Sequence, residues 1–242
     1  MTKTKKMGIL YLVIFGAMIF MNYWSATDVG SIADNQQALI QPAGYAFSIW
    51  GLIYLSVLIW IIRLFFIRKF EGTIYDKVKV WLILNFILNA AWIITFTTDL
   101  IFVSTLVIAG LLFTLVMIYR NISFAHYNFF DRFPFSLYFG WVTVATIVNI
   151  FSWVKSIEAE QVLGMNEVTW TIIMLAVATV LCLYISLKYR DWLYPLVFVW
   201  AFTGIFIKES QSAIIMTVSI GIGLQLLVAA YTAYQSSKRT IA

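Results

Sequence analysis

The chain has 242 residues, of which 62% are hydrophobic and 11% charged. A water-soluble domain carries about 25% charged residues, so a soluble globular fold is excluded and an integral membrane protein is predicted. The net charge of +5 does not signal nucleic acid, because the basic residues lie in short segments between apolar runs and form no stripe or tail.

A membrane-crossing helix needs about 20 mostly apolar residues. Eight stretches qualify: 7–25, 43–62, 80–98, 100–119, 133–154, 168–187, 192–207 and 211–232. The first follows Lys3, Lys5 and Lys6, as a signal peptide would. It is long for one, and Tyr23, Trp24, Ser25 and Ala26 offer no cleavage site. It is read as a retained span. The seventh stretch is short and the weakest assignment.

Charge placement supports the count. With the N-terminus inside, the inner segments hold Lys3, Lys5, Lys6, Arg63, Arg68, Lys69, Lys77, Lys79, Arg120, Arg132, Lys188, Arg190, Lys238 and Arg239; the outer ones hold Lys155 and Lys208. That is the positive-inside pattern. Omitting the seventh span would move Lys238 and Arg239 outside. The predicted fold is an all-α polytopic membrane bundle of about eight helices with both termini cytoplasmic, in a bacterial plasma membrane. It divides into a five-helix core, 1–154, and a three-helix extension, 155–242.

No predicted span contains Asp, Glu, Lys, Arg or His. Proton relays and intramembrane haem ligands need such groups. His126 falls in an inner loop and reads as a solvated residue. Cys182 lies inside an apolar run with no partner at a useful spacing and reads as a small buried hydrophobe. There is no nucleophile–base pair, carboxylate dyad or metal cluster in the pattern. No catalytic residue, metal or cofactor is assigned.

Three spans carry patterned faces. In the second, Gly44, Ser48 and Gly51 form a strip of small residues, which in lipid lets helices approach closely. Phe47, Trp50 and Tyr54 form an aromatic strip at i, i+3, i+7. In the third, Trp81, Asn85, Asn89, Trp92 and Phe96 step along one face. Asparagines in a membrane helix are costly unless paired. In the fifth, Pro134, Tyr138, Trp141, Ala145, Asn149 and Trp153 share a face. All three prolines, Pro42, Pro134 and Pro195, are expected to open a span, where the missing N–H does no harm. From the outer ends, Trp50, Asn89, Trp92 and Ala145 fall at ~9–14 Å depth, at 1.5 Å per residue. If the three faces converge they form an aromatic box with amide donors, suited to a flat apolar ligand.

These residues carry a resemblance. "PAGYAFSIWGLIY" (Pro42–Tyr54), "LNAAWIITF" (Leu88–Phe96) and "PFSLYFGWVTVATIVN" (Pro134–Asn149) resemble, in order and spacing, the second-, third- and fifth-helix signatures of the tryptophan-rich sensory protein family. This is the TspO, translocator protein or peripheral benzodiazepine receptor family. The resemblance covers about residues 7–154. The family's proline-rich first loop is here "DNQQALIQP", and three further spans follow residue 154. The resemblance implies a five-helix bundle with an internal pocket for porphyrins, sterols or related flat molecules. Carried over, the pocket residues are Trp50, Tyr54, Asn89, Trp92, Trp141, Ala145 and Asn149; the aromatic strip adds Phe47. Some members have been linked to photochemical porphyrin degradation, and Trp50 and Trp141 match the tryptophans concerned.

The favoured function is a receptor or binding protein acting as a sensor for a planar hydrophobic ligand. The alternatives are a facilitative transporter of such molecules, a tryptophan-dependent porphyrin-degrading enzyme, and a structural subunit. The expected partners are that ligand, membrane lipid and, as one option, a second copy of the chain.

Overall fold

The computed structural model describes residues 2–35, 38–125, 127–159 and 161–241, and of 26–35 and 239–241 the backbone alone. His126 lies outside the described residues. The chain is all-helical: α1 (Lys3–Asn35), α2 (Ile49–Arg63), α3 (Ile74–Thr97), α4 (Ile101–Ser123), α5 (Phe129–Ser156), α6 (Glu167–Tyr189), α7 (Leu193–Lys208) and α8 (Ser212–Ile241). Short 3-10 turns at Gly44–Ser48 and Leu64–Phe66 flank α2. Among the described residues, seven helical stretches are long and apolar enough to cross a bilayer, and the shorter α7 is apolar up to its terminal Lys208.

The helices outrun the hydrophobic stretches that announce them. α1 continues to Asn35, through residues expected to be a polar loop. Residues 26–35 contain no proline, so nothing in them forbids helix. α3 starts at Ile74 and takes in Asp76, Lys77 and Lys79. α5 starts at Phe129, so Pro134 sits inside the helix and does not open it. Pro195 is in the first turn of α7 as expected, and Pro42 precedes the turn that leads to α2.

The helices divide into two compact units, Met1–Asn35 with Trp50–Val142 and Gln36–Ile49 with Thr143–Ala242. In the first, α3 packs most extensively on α4 and next on α1. The α3–α4 seam holds the amide–hydroxyl bond Asn85 Nδ2 to Thr114 Oγ1 at 2.9 Å, so Asn85 takes the interhelical role its position suggests. The Tyr11 hydroxyl of α1 donates to the Tyr75 carbonyl at 2.9 Å. The Tyr75 hydroxyl in turn donates to the Trp60 carbonyl at 2.9 Å, and the two rings stack at 4.1 Å. These bonds close the α1–α2–α3 end. Arg63 at the end of α2 pairs with the buried Asp131 of α5 at 3.1 Å. Lys3 and Glu71 pair at 2.8 Å, and that hydrogen bond holds the Glu71 carboxyl below the usual carboxylate range. Both are exposed, so the pair contributes little to stability.

In the second unit α7 is the core. Leu193, Tyr194, Val197, Phe198, Ala201, Phe202, Gly204 and Ile205 are all buried, and α7 packs most extensively on α8. Its 16 residues span only ~24 Å at 1.5 Å per residue, less than the ~30 Å of a bilayer's hydrocarbon core. Apart from Trp200 and the last turn, Phe206–Lys208, the helix is buried or half-buried among protein, and a helix so packed need not match lipid thickness, which explains why its hydrophobic stretch is short. α6 and α8 close on one another at Gly221, where a Cβ would lie 2.6 Å from the Phe202 ring and 3.0 Å from Thr179 Oγ1.

Among the described residues, the small-residue strip of the second span makes no seam. Gly44, Ser48 and Gly51 are exposed, and a Cβ at Gly44 or Gly51 would meet nothing within 4 Å. The close backbone approach occurs on α7 at Gly204.

Candidate functional site

The first unit brings three helices, α2, α3 and α5, together around the ring of Trp50. Trp50 and Tyr54 are one turn apart on α2 and stack at 5.3 Å with 26° between planes. From α3, Trp92 lies 5.8 Å from Trp50 at 32° and continues to Phe96 at 5.9 Å. From α5, Tyr138 and Trp141 meet Trp50 edge-on, at 5.8 Å and 6.4 Å. Stacked and T-shaped pairs at these separations are the favourable arrangements for rings with a negative face and a positive edge. Trp92, Tyr138 and Trp141 are buried. Trp50 and Tyr54 are half-buried, so the cluster is accessible on the α2 side.

Behind the rings runs a hydrogen-bond chain through three spans and α1. The Tyr54 hydroxyl donates to Asn22 Oδ1 at 3.0 Å. Asn22 Nδ2 donates to Asn89 Oδ1 at 2.8 Å and to the Met18 carbonyl at 2.9 Å. Asn89 Nδ2 donates to the Tyr138 hydroxyl at 2.7 Å. The Tyr54 hydroxyl also lies 3.5 Å from Asn89 Oδ1. Asn89 is fully buried, and both its amide oxygen and its amide nitrogen are engaged. In a membrane bundle each such bond is worth about 0.6–2 kcal/mol. The arrangement fixes which faces of α1, α2, α3 and α5 look at one another, and so holds the aromatic wall in register.

Five of the eight expected site residues thus meet: Trp50, Tyr54, Asn89, Trp92 and Trp141. The other three, Phe47, Ala145 and Asn149, belong to the second unit. Phe47 lies in the 3-10 turn before α2, so it does not continue the α-helical strip of Trp50 and Tyr54. Ala145 and Asn149 lie on α5, one and two turns beyond Trp141; Ala145 is half-buried and Asn149 buried.

Two residues of the cluster do not stand out as site residues in the sequence. Tyr138 lies on the patterned face of the fifth span, where the tryptophans carry the stronger signal. Asn22 escapes the sequence reading altogether; the available signal was a lone amide in the predicted first span, 7–25, the same signal that draws attention to Asn89.

The groups in the cluster are indoles, phenols and carboxamides. They stack and hydrogen-bond, and none of them is a carboxylate, thiol or imidazole.

A family model described as TSPO-like protein matches residues 8–231. The chain belongs to the TSPO-like protein family. No curated protein and no solved structure matched it. The family match runs past residue 154 through α6 and α7 and well into α8, so it takes in the helices beyond the core that the motifs cover. This TSPO-like chain is accordingly an integral membrane protein, and its aromatic cluster is built from the three motif segments on which the resemblance rested.

Proposed function

We propose that this TSPO-like protein is a membrane receptor for a planar hydrophobic ligand, of the porphyrin or sterol-like class, and that it acts as a sensor. The observation that supports this most is the half-buried ring of Trp50, contacted by four other aromatic rings and backed by a buried amide chain. A flat ligand gains from stacking on such a wall, and the Asn22 and Asn89 amides behind it are already engaged with one another, with Met18 and with Tyr138. The five clustered residues are the proposed contacts.

The test is a tryptophan-fluorescence titration of the purified protein in detergent with protoporphyrin IX and, separately, a sterol panel. Saturable quenching at one molecule of protoporphyrin per chain is the expected result. Quenching that rises linearly without saturation would contradict the reading. Reconstitution into liposomes separates receptor from transporter: binding without ligand flux is expected.

A further inference from the structure

We infer that α7, through Trp200 and Gly204, positions Trp50 by clamping the turn that leads into α2. The inference rests on the proposed role of the Trp50 cluster for its functional meaning, but not for its geometry.

The segment Gln41–Ser48 is docked on α7 by several independent contacts within the second unit. The backbone N–H of Ala43 donates to the Gly204 carbonyl at 3.1 Å. That carbonyl sits inside α7, and the segment approaches so closely that a Cβ on Gly204 would lie 2.8 Å from Pro42 Cβ, 3.3 Å from Ala43 N and 3.3 Å from Ala46 Cβ. Two of those three neighbours are on the proline and backbone of the docked segment, which cannot swing aside as a flexible side chain would. One turn earlier on α7, Trp200 Nε1 donates to the Ala46 carbonyl at 2.9 Å, and its ring meets Tyr45 edge-on at 5.0 Å. At the end of α7, Lys208 Nζ reaches the Gln41 carbonyl at 3.5 Å. Further back, the Leu39 N–H donates to Glu167 Oε1 at 2.8 Å, and Glu167 is paired with Lys155 at 2.8 Å.

The clamped turn has no slack before Trp50. Gly44–Ser48 is a 3-10 helix, its capping residue Ile49 is right-handed helical at φ −57° and ψ −26°, and α2 begins at that residue. No linker residue separates the 3-10 turn from the α-helix. Trp50 is the second residue of α2. Displacing the turn from α7 therefore displaces the start of α2, and with it the ring that four aromatics contact. Through α7, the helices after residue 154 hold the first half of the proline-led motif, while its second half builds the cluster. Trp200 and Gly204 are positioning residues; they touch the turn, not the ligand.

The test needs no ligand. Protein labelled with 5-fluorotryptophan gives one 19F resonance per tryptophan, and the Trp50 resonance is assigned by its loss in Trp50→Phe. In Trp200→Phe, which keeps a ring but removes the donor to Ala46, and in Gly204→Ala, the Trp50 resonance is expected to move. In Gly223→Ala, where a Cβ meets nothing within 4 Å, it is expected to stay. A shift in either α7 variant that is absent from Gly223→Ala supports the inference; if Gly204→Ala does not fold, Trp200→Phe decides alone. A Trp50 resonance unmoved in every folded α7 variant, or moved equally by Gly223→Ala, overturns it. A companion titration with protoporphyrin IX is expected to show affinity falling ~10-fold in Trp200→Phe. A shifted Trp50 resonance in protein that bound neither protoporphyrin nor any sterol of the panel would refute the receptor reading and leave the clamp standing.

Discussion

Replacing Asn89 with leucine is expected to destabilise the protein by about 1–3 kcal/mol, the penalty for a buried polar group left without its partner. The group left behind is the Tyr138 hydroxyl, which is buried and receives the Asn89 amide at 2.7 Å. The rest of the chain survives the change: Asn22 keeps its bond to the Met18 carbonyl, and Tyr54 keeps its bond to Asn22. Tyr138→Phe alone leaves an Asn89 N–H unpaired and is expected to fall in the same range. The double variant, Asn89→Leu with Tyr138→Phe, removes both members of that bond, and the Asn22 N–H that loses Asn89 Oδ1 is common to Asn89→Leu and the double variant. It is expected to be more stable than the sum of the two single losses by about 0.5–3 kcal/mol, the usual range for residues in one hydrogen-bond network. Unfolding in detergent, followed by circular dichroism for all four proteins, measures this. Strictly additive losses would mean that the Asn89–Tyr138 bond is not formed in the membrane bundle.

The second large effect is on binding. Trp50→Ala removes the ring that Tyr54, Trp92, Tyr138 and Trp141 all contact. Each aromatic pair is worth about 0.5–1.5 kcal/mol beyond its buried area. A ligand that loses stacking on Trp50, on a wall that has lost its central ring, forfeits about two such contacts. At 1.4 kcal/mol per factor of ten, the dissociation constant for protoporphyrin IX is expected to rise ~10–100-fold. Trp81→Phe is the control, because Trp81 meets Phe113 of α4 and lies about three turns of α3 from Trp92. Equal affinity in wild type and Trp50→Ala would place the ligand elsewhere.

Much of the fold was legible because lipid imposes a simple rule: every backbone polar group must be bonded within its own segment. Long apolar runs therefore read as helices, and the split of Lys and Arg between segments counted them. The ends were less legible. Asp76, Lys77 and Lys79 extend α3 and Phe129–Arg132 extend α5, because a helix continues into the interfacial region after its apolar stretch stops. The site was legible where a single helix period governs it. Trp50 stacks on Tyr54, and Asn89 and Trp92 are both buried on α3, as their spacing requires. Phe47 fell out of that register because the backbone before Ile49 is a 3-10 turn, with three residues per turn in place of 3.6. Asn22 carried the signal of a lone amide, but its partners, like those of Gly204, were beyond reach for another reason. Their roles depend on which helices touch, and periodicity does not encode that. Gly204 in particular is one small residue among the apolar residues of α7; only the approach of Pro42 and Ala43 shows why it is glycine.

The central claim is that the rings around Trp50 are where the ligand binds. 19F NMR of 5-fluorotryptophan-labelled protein, titrated with protoporphyrin IX, tests it most directly, because a porphyrin ring current moves only nearby nuclei. Among the ten tryptophans, the resonances of Trp50, Trp92 and Trp141 are expected to shift together and saturate at one ligand per chain, while that of the exposed Trp24 stays in place. Saturating shifts at other tryptophans, with Trp50, Trp92 and Trp141 unmoved, would contradict it.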